Sequence, residues 1–441
     1  MTQLPTPVSA APPRPAPADQ HLLFLQGPHG PFFRRLADQL RRAGLRVSRV
    51  GFNRGDQVFW GSAPGYIPYR GTPEDWPATL TRLIDDLGIT GLVLYGDVRA
   101  IHAQAIAIAR ERGLIVHVFE EGYLRPYWAT YERGGSNGHS RLMQIDIDAM
   151  ARGLATSQPD GRKPPATWGD MREHVTYGFV YHLLVLLANR AYPGFRPHRK
   201  ISVAAEFRLH LRKMLTTPGR IVQRGWLTRA LLSTGSPYHL VLLQLEHDAS
   251  FVAHSGYDCM ADFTAEVLAA FAQGAPRHHR LVFKAHPLED DRGRIITRIR
   301  EQAAALGLAD RVDVIPGGKL ARLLAQARSA VTVNSTAAQQ ALLRGIPVRA
   351  MGRAVYAKPG IVSDQPLADF FAAPQPPDRR AYTTYREFLL DSSQVPGGFY
   401  SAHGRQYLLR QVTDLMLAAH DPYDPILAGA RGGSRAQMHD G

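Results

Sequence analysis

At 441 residues the chain is too long for one ordinary core, so two domains are expected, and its 45% hydrophobic and 20% charged residues exclude wholesale disorder. A single cysteine, Cys259, excludes an internal disulfide and a multi-cysteine zinc site and fits a reducing compartment. The net charge of +14 suggests an acidic partner, whether nucleic acid, anionic membrane or phosphorylated substrate, against the alternative of a generally basic surface.

The chain opens on MTQLPTPVSAAPPRPAPADQ, which holds six prolines and no apolar core segment. Residues 1–20 therefore read as a disordered tail with no secretory signal. HLLFLQ (21–26) reads as a buried strand and GPHG, with Gly27 and Gly30, as a tight loop. PFFRRLADQLRRAG is an amphipathic helix that Pro31 starts and Gly44 ends. LRVSRV (45–50) is a second strand, which completes a unit of a parallel sheet.

The unit recurs. TGLVLYGD (90–97) is a strand ending at Asp97, RAIHAQAIAIARERG is a helix, and LIVHVFEEG is the next strand. Ligands of open α/β sheets gather at the carboxyl ends of such strands. Gly27, Gly30, Asp97 and the adjacent acids Glu120 and Glu121 all fall at that edge, with Arg125 just beyond. A buried strand has no need of two terminal acids, so one of them is a candidate nucleophile or base. Neighbours on a regular strand point to opposite faces, which argues against a close dyad. Glu121, nearer the loop, is taken as the cleft-facing one; ion pairing of both acids to Arg125 or Arg99 is the structural alternative. His139, in GGSNGHS (134–140), is a candidate general acid/base, against simple exposure in a loop.

Residues 151–235 are Pro-rich at first, then helical and basic. YGFVYHLLVLLA (177–188) is too short to span a bilayer and fits either a buried helix or a membrane interface. From Arg190 to Arg229 ten Lys/Arg face one acid, Glu206, so Arg196, Arg199 and Lys200 are candidate contacts for anionic headgroups. No zinc-finger spacing, RNP-like motif or recognition-helix pattern accompanies the basic run, so nucleic acid is not expected as a partner.

A second α/β region follows, with strands expected at 239–245, 280–286, 311–317, 329–335 and 346–352 and helices at 319–328 and 337–345. The layout is therefore an N-terminal Rossmann-like domain (21–150), a helical connection (151–235), a C-terminal Rossmann-like domain (236–375), C-terminal helices (376–428) and a tail (429–441). Two parallel-sheet domains facing a cleft is the GT-B plan; no internal sequence repeat is evident. In the second domain VFKAHP places Lys284 and His286 at a strand end before Pro287, where a cation and an imidazole can hold a phosphate or carboxylate. TVNSTAAQQALLRGIPV adds Asn334, Ser335 and Thr336 at a strand-to-helix turn, an anion-suited end or an ordinary N-cap. Together the two read as a nucleotide-phosphate pocket. No GxxxxGK or GxGxxG occurs, which removes support for ATP or NAD chemistry.

The segments LLFLQGPHGPFFRRLADQLRRAG, FNRGDQVFW, LYGDVRAIH, HVFEEGYLRP, NGHS, VFKAHP and VNSTAAQQALLRGIPV, in this order, resemble the capsule-polysaccharide proteins of the KpsS/LipB type. The resemblance runs from about residue 21 to GGFYSAHGRQYLL (397–409). It implies a bacterial retaining β-Kdo (3-deoxy-D-manno-oct-2-ulosonic acid) transferase that uses CMP-Kdo and no metal or other cofactor. The implied acceptor is a (lyso)phosphatidylglycerol lipid at the inner face of the cytoplasmic membrane, and the product begins the lipid-linked poly-Kdo linker of capsular polysaccharide. The implied partners include that anionic membrane surface, the other capsule Kdo transferase and the export complex. An EDG-type motif supplies the catalytic carboxylate in such enzymes and matches Glu120–Glu121–Gly122, with Glu in place of Asp. The resemblance makes His286–Pro287 and Ser335–Thr336 CMP-binding. Two competing expectations are a non-catalytic scaffold of the export machinery and a nucleotide-sugar epimerase or hydrolase of the same fold.

Overall fold

The structure, a computed structural model, describes residues 17–155, 172–196, 219, 222–286, 289 and 294–429. The expected contacts Arg199, Lys200 and Pro287 and both expected tails, apart from a few residues, lie outside them. Strands β1 (His21–Phe24), β2 (Arg46–Gly51), β3 (Tyr66–Pro68), β4 (Gly91–Tyr95), β5 (Ile115–Glu121) and β6 (Trp128–Arg133) come first. β7 (Tyr238–Leu242), β8 (Arg280–Lys284), β9 (Val312–Ile315), β10 (Ala327–Thr332) and β11 (Val348–Ala350) form a second group, followed by β12 (Gln394–Pro396).

The two groups make two sheets, ordered β12-β6-β5-β4-β1-β2-β3 and β11-β10-β7-β8-β9. Within each, five parallel strands follow the Rossmann order 3-2-1-4-5, so both sheets have a topological switch point beside their first strand. This is the expected two-unit, GT-B-like α/β plan. The likeness also reaches the sequence locally: His21–Gln26 and His239–Gln244 both read H-L-x-x-L-Q. Each histidine bonds a serine on a neighbouring strand, His21 Nε2 to Ser48 Oγ at 2.9 Å and His239 Nδ1 to Ser329 Oγ at 2.8 Å.

The first sheet departs from an all-parallel plan at one edge, because β6 runs antiparallel to β5 and β12 antiparallel to β6. The expected set of C-terminal helices is also divided. The Arg379–Asp391 helix buries Tyr382, Tyr385 and Phe388 with the second sheet, whereas the chain then returns to the first. There β12 completes the sheet, and Leu408, Val412 and Met416 of the Ala402–Leu417 helix join Phe32 and Leu36. Helices Arg54–Trp60 and Trp76–Leu87 and strand β3 occupy a stretch not assigned from sequence. The expected 319–328 helix stops at Leu324, since the residues from Ala327 onward are already β10.

Alternation along β5 fixes what its end presents. Val116 and Val118 pack with the Trp76–Leu87 and Ala100–Glu111 helices, and Phe119 packs on the opposite face against Phe32 and Phe33. On β6, Glu132 is only 1% exposed. Tyr123 Oη and Ser140 Oγ donate to it at 3.0 and 2.6 Å, and Tyr423 Oη also donates. Burial nevertheless pushes its carboxyl up to about 7. The folded state therefore holds a proton that the unfolded chain has released between pH 4.5 and 7, so this group's stabilisation is lost as pH rises through that window. The stability of the wild type relative to Glu132→Gln should fall with a slope of up to about 1.4 kcal/mol per pH unit there, as read by denaturant unfolding. A pH-independent difference between the two would contradict this assignment.

Candidate active site at the seam between the two sheets

The adjacent acids end β5 side by side but face different neighbours. Glu121 Oε1 accepts a hydrogen bond from Tyr95 Oη at 3.2 Å, on the face that also carries Tyr400. Glu120 Oε1 accepts from the Glu121 N–H at 3.0 Å, and its carboxylate feels Arg125 and, from the second unit, Asp248. Glu120 thus feels a charge of the second unit, while Glu121, the acid expected to face the cleft, is bonded to Tyr95 of its own sheet. Burial first, then the charge of Glu121, raises the Glu120 carboxyl to about 7. Gly122 follows because no side chain fits: a Cβ there would stand 2.2 Å from the Trp128 carbonyl oxygen. Arg125 is exposed and folds back, its Nε donating to the Gly122 carbonyl at 3.2 Å.

Gln394 of β12 holds the turn after the acids. Its Oε1 accepts from the N–H groups of Tyr123 and Leu124 at 2.9 and 3.3 Å, and its Nε2 donates to Thr130 Oγ1 at 3.1 Å.

Around the switch point of the first sheet, Gly27 packs on Phe33 and Gly30 on Tyr177, while Arg99 donates to Gln26 Oε1 at 2.7 Å. A cavity of about 190 Å³ opens beside them, walled by Phe52, Tyr69, Ile101 and Phe195 and bearing Arg99 and Arg196. Arg196 is exposed and paired with Glu74 at 2.9 Å. Asp97, two residues past β4, is buried and accepts from the Ser136 N–H at 2.8 Å. It also lies 3.1 Å from Nδ1 of His139, so two residues expected separately form a pair.

On the second sheet Lys284 ends β8 and is buried. Burial and the positive charge of Arg224, on the 222–233 helix, hold its ammonium below the ordinary lysine value. A buried ammonium that also feels an arginine is relieved by a counter-charge. His286 follows two residues later. Asn334 departs from the expected ligand role, because its polar atoms are engaged by protein. Its N–H donates to Gln244 Oε1, its Oδ1 accepts from Gln244 Nε2, and its Nδ2 donates to the Ser250 carbonyl. It braces the switch point. Ser335 caps a 3-10 turn, Thr336–Ala338, which runs into the Gln339–Leu342 helix. With so little regular helix the macrodipole adds little at this turn.

The units meet through long side chains of the second that reach main-chain carbonyls of the first. Gln339 Nε2 donates to Tyr123 O at 2.8 Å, Arg353 to Gly138 O at 2.6 Å, and Lys358 Nζ to Leu142 O and Ile145 O, both at 2.6 Å. None of these, nor Arg224, Gln244 or Gln394, stands out in the sequence; only Gln244 had a signal, the H-L-x-x-L-Q pattern shared with Gln26.

The Arg172–Leu187 helix packs Tyr181 and Val185 inward and leaves Val175, Phe179 and Leu187 exposed, so it is both a packed helix and an apolar surface. Val222 and Trp226 are likewise exposed one turn apart on the 222–233 helix. No described helix is long and apolar enough to cross a membrane.

Two Rossmann-like parallel sheets of the same strand order define an α/β protein of the GT-B-like class. The chain belongs to the capsule polysaccharide biosynthesis protein family, whose model matches residues 90–400. It is 31% identical over 385 residues to the capsule polysaccharide export protein KpsS of Escherichia coli, covering 86% of this chain and 96% of that protein. To the capsule polysaccharide modification protein LipB of Neisseria meningitidis serogroup B it is 30% identical over 392 residues, covering 87% and 92%. Among solved structures it aligns with the β-Kdo 2,7 transferase KpsC of Thermosulfurimonas dismutans at 12% identity and a TM-score of 0.43, over 90% of this chain and 100% of that one.

Removing the amide that holds the acid-bearing turn tests this geometry. Gln394→Leu leaves the Tyr123 and Leu124 N–H groups buried without that acceptor and should cost about 1–3 kcal/mol. An unfolding midpoint unchanged from wild type would show that the turn does not need it.

Proposed function

We propose that the chain is a retaining β-Kdo transferase that moves Kdo from CMP-Kdo to a (lyso)phosphatidylglycerol acceptor and so starts the lipid-linked linker of capsular polysaccharide. Membership of the capsule family and the motif resemblance support the pathway. The observation that carries the chemistry is the adjacent pair Glu120 and Glu121 at the end of β5, with the Glu120 carboxyl raised to about 7, in a chain whose second sheet ends β8 on the buried Lys284. CMP-Kdo brings a phosphate and a sugar carboxylate. Lys284 and Arg224, with His286, Ser335 and Thr336, bind these anions and offset the charge that grows on the departing CMP phosphate.

In the retaining route a carboxylate of the Glu120–Glu121 pair attacks the anomeric carbon as the bond to the CMP oxygen breaks, and the electron pair leaves on the phosphate. The acceptor hydroxyl then attacks the same carbon, gives up its proton to a base, and frees the carboxylate. Glu120, whose carboxyl burial raises to about 7, is assigned the larger part. The apolar cavity bearing Arg99 and Arg196 lies at the same edge of the first sheet, and its chemistry suits a glycerophosphate with an acyl chain. The exposed apolar residues of the Arg172–Leu187 helix and the basic sequence after it support a peripheral association with an anionic membrane surface.

The test is incubation of the purified protein with CMP-Kdo and lysophosphatidylglycerol, followed by mass spectrometry of the lipid. A lipid heavier by one Kdo is expected, with a loss of about 10²-fold or more in Glu120→Gln and a smaller loss in Glu121→Gln. Free Kdo without lipid product would replace the transferase by a hydrolase, and full capsule assembly by Glu120→Gln would replace it by a scaffold. Because the carboxylate must be ionised to attack or accept a proton, kcat/KM should fall about tenfold per pH unit below about pH 7 and level off above it.

Membrane docking has its own readout. Phe179→Ser should weaken binding to phosphatidylglycerol vesicles by about tenfold, and salt should weaken it further. Binding indifferent to both would remove this helix from the membrane surface.

A further inference from the structure

Asp97, His139 and His254 converge at the seam, with one ligand atom from each lying within 4.8 Å of the other two. Asp97 lies in the loop after β4 and His139 ends the 3-10 turn Asn137–His139, both in the first unit, and His254 ends the Ala249–His254 helix of the second. Asp97 and His254 are 2% and 3% exposed, whereas the His139 side chain is 45% exposed. A carboxylate-oriented general base would account for Asp97 and His139 alone. It gives no reason for His254, whose ring feels the Ala253 carbonyl yet forms no well-made hydrogen bond through either buried nitrogen. Asp97 Oδ1 is also buried and unpartnered, while Oδ2 is fixed by the Ser136 N–H at 2.8 Å. Orphaned buried polar atoms are costly, and three such atoms sit in one cluster.

The space around them is kept open for the imidazole. A Cβ on Gly138 would stand 2.5 Å from His254 Nδ1, so the backbone between Asn137 and His139 can approach the ring only as glycine. The two imidazoles lie with centroids 4.7 Å apart and planes at 84°, an arrangement that leaves their nitrogens free of one another.

We propose that Asp97, His139 and His254 bind a divalent transition-metal ion, zinc being the occupant the donor set fits best, which ties the two units together across the seam. Two imidazoles and one carboxylate are a familiar ligand set for such ions, and the exposed side of His139 leaves a position for water. The Ser136 N–H supplies the outer hydrogen bond that orients the carboxylate. Arg353 stands nearby with its guanidinium donating to Gly138 O, a positive charge that disfavours weakly held magnesium or calcium. The lone cysteine excludes a thiolate zinc site but says nothing against this one. The proposal departs from the expectation of no metal, and it holds whether or not the chain transfers Kdo.

The experiment uses the full chain, freed of metal by a chelator and titrated with Co²⁺ and then Zn²⁺. Cobalt's visible absorption, metal content after gel filtration, and the thermal midpoint are followed together. One ion per chain is expected, with the midpoint rising with ion concentration and falling again on chelation. His254→Ala should lower the affinity at least 100-fold. Because His254 is packed, His139→Ala serves as the second variant; it should lower affinity at least tenfold while the metal-free midpoint stays unchanged. No uptake beyond background overturns the proposal. So does stoichiometric uptake that both variants retain, since other histidines among the 18 in the chain would then be the ligands.

Discussion

The side-chain amide of Gln394 is the contact on which the acid edge depends. Two consecutive N–H groups, those of Tyr123 and Leu124, leave the sheet ladder as the chain turns from β5 into β6. Buried N–H groups must find an acceptor, and a single amide oxygen serves both. The turn is gripped again by Gln339, which takes the Tyr123 carbonyl from the second unit. The residues after Glu120 and Glu121 are thus fixed by one amide from the returning C-terminal strand and one from the opposite unit, each more than 200 positions away in sequence. The strand end that carries the two acids is therefore held in place from both sides of the turn that follows it.

The two units solve one problem in the same way. Each has strand order 3-2-1-4-5, and each places a glutamine two residues past its first strand, at the point where the order reverses. In the first unit Gln26 takes Arg99 and Tyr181; in the second Gln244 takes Asn334. A strand crevice at a switch point is open to solvent, and a glutamine that spans it keeps the loops apart while satisfying their polar groups. The first unit therefore keeps a cavity with arginines, the second a braced loop beside a buried lysine.

Much of this was legible in the sequence, and the rest fails for identifiable reasons. The parallel strands of both units announce themselves as apolar, β-branched runs, because strands buried on both faces need little else. The short antiparallel strand Gln394–Pro396 has no such run, and its pairing with β6 is set by tertiary return alone. Alternation placed Glu120 and Glu121 on opposite faces, but the partners each meets, Tyr95 for Glu121 and the charge of Asp248 for Glu120, come from other parts of the chain. Asn334 looked like a ligand because Asn-Ser-Thr at a strand end suits anions; only the presence of Gln244 shows that its polar atoms are engaged. His254 carries no motif, since its partners come from a different unit.

Charge gives the arrangement its direction. A net charge of +14 does not spread evenly, because the seam consumes some of the cations internally: Lys358 and Arg353 are spent on carbonyls of the first unit. Burying such groups is unfavourable unless they are hydrogen-bonded, and Lys358, its ammonium held down to about 8 by burial, meets that condition with two carbonyls. Lys284 and Arg224 differ, since each adds to the other's repulsion instead of relieving it. A counter-charge relieves such a pair, so in the function proposed above the anions of the donor would stabilise this part of the second unit.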